Sequence, residues 1–124
     1  MPKMINITCH PEDGYLLGLY FEHKVRAYKV FEVFGEQFFV HRRVRFISLS
    51  NQWQVVKEWT VSHVDTGFRI GVGDLANVHL AEHEVTCYLK YKGEEELKKY
   101  VNLAKGRLAE MKKVEAPEVF NFGW

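Results

Sequence analysis

Two cysteines, Cys9 and Cys87, stand in 124 residues. That is too few for the disulfide framework of a small secreted scaffold, and neither lies in a C-x-x-C pair. Two reduced, mostly buried thiols in a cytoplasmic protein are the expectation. The three prolines and nine glycines exclude a collagen-like or Pro/Gly-rich disordered chain. No apolar run reaches the roughly 18 residues of a membrane helix. The start, Met-Pro-Lys-Met-Ile-Asn, has no basic region followed by a long apolar stretch. A dominant charge is lacking too: 17 Lys and Arg face 16 Asp and Glu, for a net charge of +1. Affinity for anions must therefore come from local clustering. There is no P-loop and no G-x-S-x-G, and Gly71-Val72-Gly73 lacks the third glycine of the dinucleotide fingerprint. No catalytic residue and no cofactor is assigned.

What is present points to one α+β domain spanning 1–124. Hydrophobic residues make up 47% of the chain, enough for a core at this length. Residues 1–72 are rich in Phe, Val, Tyr and Trp, and residues 74–113 in Ala, Leu, Glu and Lys. Strand-like material thus precedes helix-like material, with no linker or repeat between them. The pattern predicts an antiparallel sheet of five to six strands over 4–72: runs at 4–8, 15–22, 24–34, 37–47, 53–64 and 68–72. Two helices then pack on one face. Asp74 is the expected cap of the first, whose apolar positions include Leu75, Val78, Val85 and Leu89. The second runs from 94 to 113. The aromatic tail 117–124 is expected to dock on the sheet or on another chain, with Phe120, Phe122 and Trp124 as interface residues.

The 24–47 hairpin carries the most informative pattern. A two-residue Gly35-Glu36 loop of type II′ pairs Phe34 with Gln37. One face is then apolar. The other gathers Arg26, Tyr28, His41, Arg43 and Arg45, with Arg26 directly opposite Arg45. Like charges in that position destabilise a sheet unless something neutralises them. An anion is one answer, since arginine presents a planar fork suited to phosphate or carboxylate. Tyr28 either stacks on a base or packs under a guanidinium. Neutralisation by nearby acids such as Glu32 or Glu58 is the other answer. A three-residue Asp65-Thr66-Gly67 loop places His63 opposite Arg69 and adds both to the patch. Arg107 joins if the second helix folds over the sheet.

His79-Leu80-Ala81-Glu82-His83 matches the inverted zinc-protease pattern H-x-x-E-H. Histidines four apart share a helical face and can share a zinc. A catalytic site needs a third protein ligand, and nothing singles one out. The reading is a polar helix face with no metal assigned.

The segment Trp59-Thr60-Val61-Ser62-His63-Val64-Asp65-Thr66-Gly67-Phe68-Arg69-Ile70 resembles the strand–turn–strand of many small phage and prophage proteins, in which W-x-V-[ST]-H precedes a turn ending in T-G. It is also similar to the T-H-x-P-T-G strand pair of peptide-chain release factors. Here Asp65 stands in place of their proline and no G-G-Q occurs, so release activity is not implied. The phage-type resemblance implies an accessory role, with counter-defence as one form. Anti-Thoeris sponge proteins, which sequester a nucleotide signal, share the order of a sheet followed by two helices. The expected partner is thus a small nucleotide-like anion bound without catalysis. The alternatives are a host protein met through the aromatic surface, or single-stranded nucleic acid, which the neutral net charge disfavours. Homo-oligomerisation through the tail is expected, and no membrane.

Overall fold

The computed structural model describes residues 3–11, 17–70 and 76–122. Seven strands and two helices follow in the order β1 (Met4–Cys9), β2 (Leu19–Arg26), β3 (Lys29–Val33), β4 (Glu36–Ile47), β5 (Gln52–His63), α1 (Val78–Lys92), α2 (Glu94–Glu110), β6 (Lys112–Lys113) and β7 (Val119–Asn121). The fold is α+β, as the composition shift implies. The strands form two sheets rather than one, ordered β1-β2-β6 and β3-β4-β5-β7. Both are mixed, because β6 and β7 pair parallel to β2 and β5.

The two sheets are joined where one long β-rich run changes partner. β2 pairs antiparallel with β1, Arg26 opposite Met4. Ala27 still donates its N–H to Lys3 O at 2.9 Å, but Tyr28 donates to Val40 O at 2.9 Å. The chain turns this corner within two residues, as strands do when they cross between packed sheets. Between the sheets lie Ile7, Cys9, Phe21, Val25 and Phe39. The other face of β3-β4-β5 carries Val33, Phe38, Val40 and Val61, which pack on Ala81, Val85 and Leu89 of α1 and on Leu97 and Val101 of α2. Burying these two apolar faces is what holds the three layers together.

Several expectations are corrected. The β3–β4 turn is Phe34-Gly35, both left-handed (φ 50° and 82°), which is type I′ geometry. Val33 therefore faces Glu36, and the register shifts by two from the expected pairing. Arg26 and Arg45 are not opposed: Arg45 faces Gln54 on β5. α1 is capped by Asn77, whose side chain accepts from Leu80 N at 2.7 Å; Asp74 lies outside the described residues. α2 ends at Glu110, and Lys112 and Lys113 pair with Leu19 and Tyr20 instead of extending the helix. Residues 68–70 make one isolated bridge, Ser62 to Arg69, rather than a full strand. The tail docks on the sheet, one of its two expected places, with Val119–Asn121 beside Trp53–Val55.

The turn after β5 meets β1 closely. Thr8 donates its N–H to Gly67 O at 2.9 Å and its hydroxyl to Thr66 O at 2.6 Å. A Cβ at Gly67 (φ +71°) would lie 2.7 Å from Thr8 N, whereas one at Gly35 (φ +82°) would meet only Lys98 Nζ at 3.9 Å. Gly35→Ala should therefore cost only left-handed strain, about 1 kcal/mol. Gly67→Ala adds an overpacking penalty and should cost roughly 2–4 kcal/mol. Urea midpoints at constant slope compare the two, and equal losses would show that the Thr8 contact is not tight.

Candidate anion-binding site

The site is assembled around the segment that follows β5. Phe68 O accepts the His63 N–H at 2.9 Å, and Ile70 donates to Val61 O at 2.9 Å. Ser62, not His63, therefore stands opposite Arg69. Arg69 donates from Nε to Thr60 Oγ1 at 2.9 Å, and its carbonyl accepts the Tyr100 hydroxyl of α2 at 3.2 Å.

Two cavities share Thr8, His10 and Arg69 in their walls. One, of about 440 Å³, is completed by Phe68, Tyr100, Leu103 and Arg107 among others. The second, of about 280 Å³, lies between β1 and the β4–β5 hairpin and includes His41, Arg43, Arg45 and Ser62. Together these walls hold four arginines, two histidines and, among the described residues, no carboxylate. His41, Arg43 and Arg45 meet there on one strand, across an irregularity in the β4–β5 pairing between Arg42 and Val44. Glu58, outside these walls, meets Arg43 Nη1 at 3.4 Å and Arg45 Nη1 at 3.3 Å. Glu58 thus bridges two guanidiniums in a partly exposed setting, where ion pairs are screened by water.

His41 is fully desolvated at the base of the second cavity, 2% exposed. Its Nδ1 lies 2.7 Å from Arg42 O, which can only accept, so the proton sits on Nδ1. Nε2 then accepts the Ser62 hydroxyl at 2.8 Å. Burial lowers the His41 pKa to about 4; the Arg42 carbonyl opposes the shift and the Arg69 charge adds to it. The ring is neutral at ordinary pH, and the charge of the cavity resides on its arginines.

His63 belongs to another structure. It is completely buried and lines neither cavity. Its Nε2 donates to Glu36 Oε1 at 2.8 Å, and Nδ1 meets Thr66 Oγ1 at 2.9 Å. Glu36 Oε2 accepts from Lys98 at 3.1 Å. Glu36, His63 and Asp65 are the one cluster of three metal-type ligands among the described residues. The Lys98 ammonium occupies the carboxylate that a cation would need, so the group serves as a clasp on the turn. Desolvation would raise the Glu36 pKa, but the bonds from His63 and Lys98 outweigh it and hold the carboxyl below its ordinary value.

Of the residues expected in the site, Arg43, Arg45, His41, Arg69 and Arg107 converge on the paired cavities. Arg26 and Tyr28 do not. They line a separate 90 Å³ recess beside Arg42. The Arg26 guanidinium sits 4.4 Å above the Tyr28 ring, Tyr28 meets Trp59 edge-on at 4.8 Å, and Arg42 lies 3.7 Å over Trp59. The guanidiniums there are held by aromatic faces. Phe120 and Phe122 stack at 6.5 Å, with Phe122 58% exposed, and Trp124 lies outside the described residues. His79 and His83 are exposed on α1, while Glu82 reaches toward Lys29 at 4.0 Å. His10, Thr8 and Ser62 were not expected in the walls. Thr8 and Ser62 sit on strands whose partners are fixed only by tertiary pairing, His10 follows the first of them, and no spacing in the sequence marks any of the three.

Among known proteins, no family model, no curated protein and no solved structure matches this chain. No helix among the described residues is long and apolar enough to cross a membrane.

The buried imidazole makes a testable statement about pH. The folded pKa of His41, about 4, lies below its ordinary 6.5, so the unfolded chain takes up the proton first. Stability is then lost as pH falls from 6.5 toward 4, by up to about 3 kcal/mol from this group. His23, lowered by burial, adds in the same direction. His41→Gln should flatten the dependence of Tm on pH across that window. A slope unchanged from wild type would locate its origin elsewhere.

Proposed function

We propose that this chain is a non-enzymatic binder of a small phosphorylated ligand of nucleotide type, held in the paired cavities by Arg43, Arg45, Arg69 and Arg107. The observation that carries the reading is the wall composition: four guanidiniums and two imidazoles with no carboxylate among the described residues. Arginine forks suit phosphate oxygens, and several guanidiniums lining one groove can engage one phosphorylated ligand together. The 440 and 280 Å³ volumes fall in or near the range of small-molecule sites. His10 and Phe68, stacked at 6.0 Å with 22° between their rings, and the half-buried Tyr100 supply flat surface for a base. The resemblance of residues 59–70 to small phage proteins supports an accessory, ligand-sequestering role in the cytoplasm. The exposed Phe122 stacked on Phe120 supports a second reading, a protein partner met through the tail.

Thermal shifts against ATP, ADP-ribose, cyclic dinucleotides and short single-stranded DNA test the first reading. A nucleotide at about 100 times its Kd should stabilise the fold by about 2.7 kcal/mol. Arg43→Ala and Arg69→Ala should each remove that shift at the same concentration. Glu58→Gln should strengthen binding, because the carboxylate competes for Arg43 and Arg45. No shift from any nucleotide would overturn the reading in favour of a protein partner. A shift from DNA alone, steep in salt, would assign the groove to a polymer.

A further inference from the structure

Helix α1 carries three metal-ligating side chains at four-residue spacing, His79, His83 and Cys87, all exposed. Residues four apart stand one above the other on a helix, so the three form a row. The buried row of the same helix is Ala81, Val85 and Leu89. His83 is two residues from both Ala81 and Val85, about 200° of helical rotation, and so faces directly away from the core. Its outward face is therefore unused by the fold.

Within the row, His83 Nε2 and Cys87 Sγ lie 3.7 Å apart. A zinc ion bonded to imidazole nitrogen at about 2.0–2.1 Å and to thiolate sulfur at about 2.3 Å, at the tetrahedral angle, separates those atoms by about 3.6 Å. The pair is spaced as two vertices of a zinc tetrahedron without any change of rotamer. His79 stands eight residues, about 12 Å, from Cys87 and cannot share an ion with it. Neither His83 nor Cys87 belongs to a cluster of three ligands among the described residues. One copy therefore supplies two of the four positions.

We propose that His83 and Cys87 form half of a zinc site, and that the same pair from a second copy completes it as two thiolates and two imidazoles. A two-fold axis beside the outward face of α1 meets this requirement, because an isologous contact repeats each residue across the axis. Binding displaces the Cys87 proton to solvent and leaves the neutral imidazole of His83 as donor. The site is separate from the arginine-lined cavities and does not depend on their ligand.

Cobalt titration of the full chain, with a phosphine reductant to prevent disulfides, tests this. Expected are a thiolate-to-cobalt charge-transfer band, one metal per two chains, and a doubling of solution mass on addition of cobalt or zinc. Cys87→Ser should abolish the band and the dimer. His83→Ala should abolish the dimer, and His79→Ala should leave both intact. The other thiol, Cys9, is buried and pushed up to about 12, so it does not supply a competing thiolate. The positions substituted are exposed, and circular dichroism is the check that the variants fold. The proposal is overturned by the absence of a charge-transfer band, by a band that survives Cys87→Ser, or by a one-to-one complex of monomer mass.

Discussion

The close seating of the Val64–Gly67 turn against β1 is the contact on which the rest of the site depends. Thr8 bonds through its N–H and its hydroxyl to consecutive carbonyls of that turn. On the other side, Thr66 meets the buried His63 ring, which is tied in turn to Glu36 and Lys98. One strand of the small sheet, one turn of the large sheet and one helix are thus connected through a single run of hydrogen bonds. Buried polar networks of this kind are stable only when every member is satisfied, which gives the turn a single geometry. Arg69, two residues beyond Gly67, inherits its position from that geometry and stands in the wall of both cavities.

The electrostatics of the groove divide into fixed and exchangeable parts. Arg69 is held by Thr60 and by its backbone bridge to β5. His41 is held by Arg42 O and Ser62 and carries no charge near neutral pH. Arg43 and Arg45 share Glu58 at distances that leave each bond weak. On the proposed reading, an entering anion competes with Glu58 at one end and meets the positioned Arg69 at the other. Polar groups held before the ligand arrives lose less freedom on binding, which favours affinity.

The division into a strand-rich first part and a helical second part was legible because periodicity changes with composition near residue 74. The pairing was less so. Phe34 accepts a left-handed conformation that β-rich aromatic residues seldom adopt, and this moved the hairpin register by two. His41, Arg43 and Arg45 nevertheless line one cavity, across an irregularity in the β4–β5 pairing between Arg42 and Val44 that no local pattern marks. Arg26 was lost from the group for a different reason. The run from 19 to 33 is uniformly β-forming, and nothing in it marks Ala27-Tyr28 as the point where the chain changes sheets. Arg69 and Arg107 were legible as members, but their shared cavity depends on how α2 lies beside residues 68–69, which no local pattern encodes.

β5 is 12 residues long, and its outer edge is covered in two pieces. Val119–Asn121 lie along Trp53–Val55, and residues 68–70 close over Val61–His63. Between them stand Val56, the exposed Lys57 and the ion-paired Glu58. Charged side chains and short covering strands are the means by which sheet edges avoid pairing with other molecules. The three-residue tail strand therefore protects solubility as well as completing the sheet. Its release would bare a Trp- and Val-bearing edge, and the first consequence would be self-association of the chain rather than unfolding.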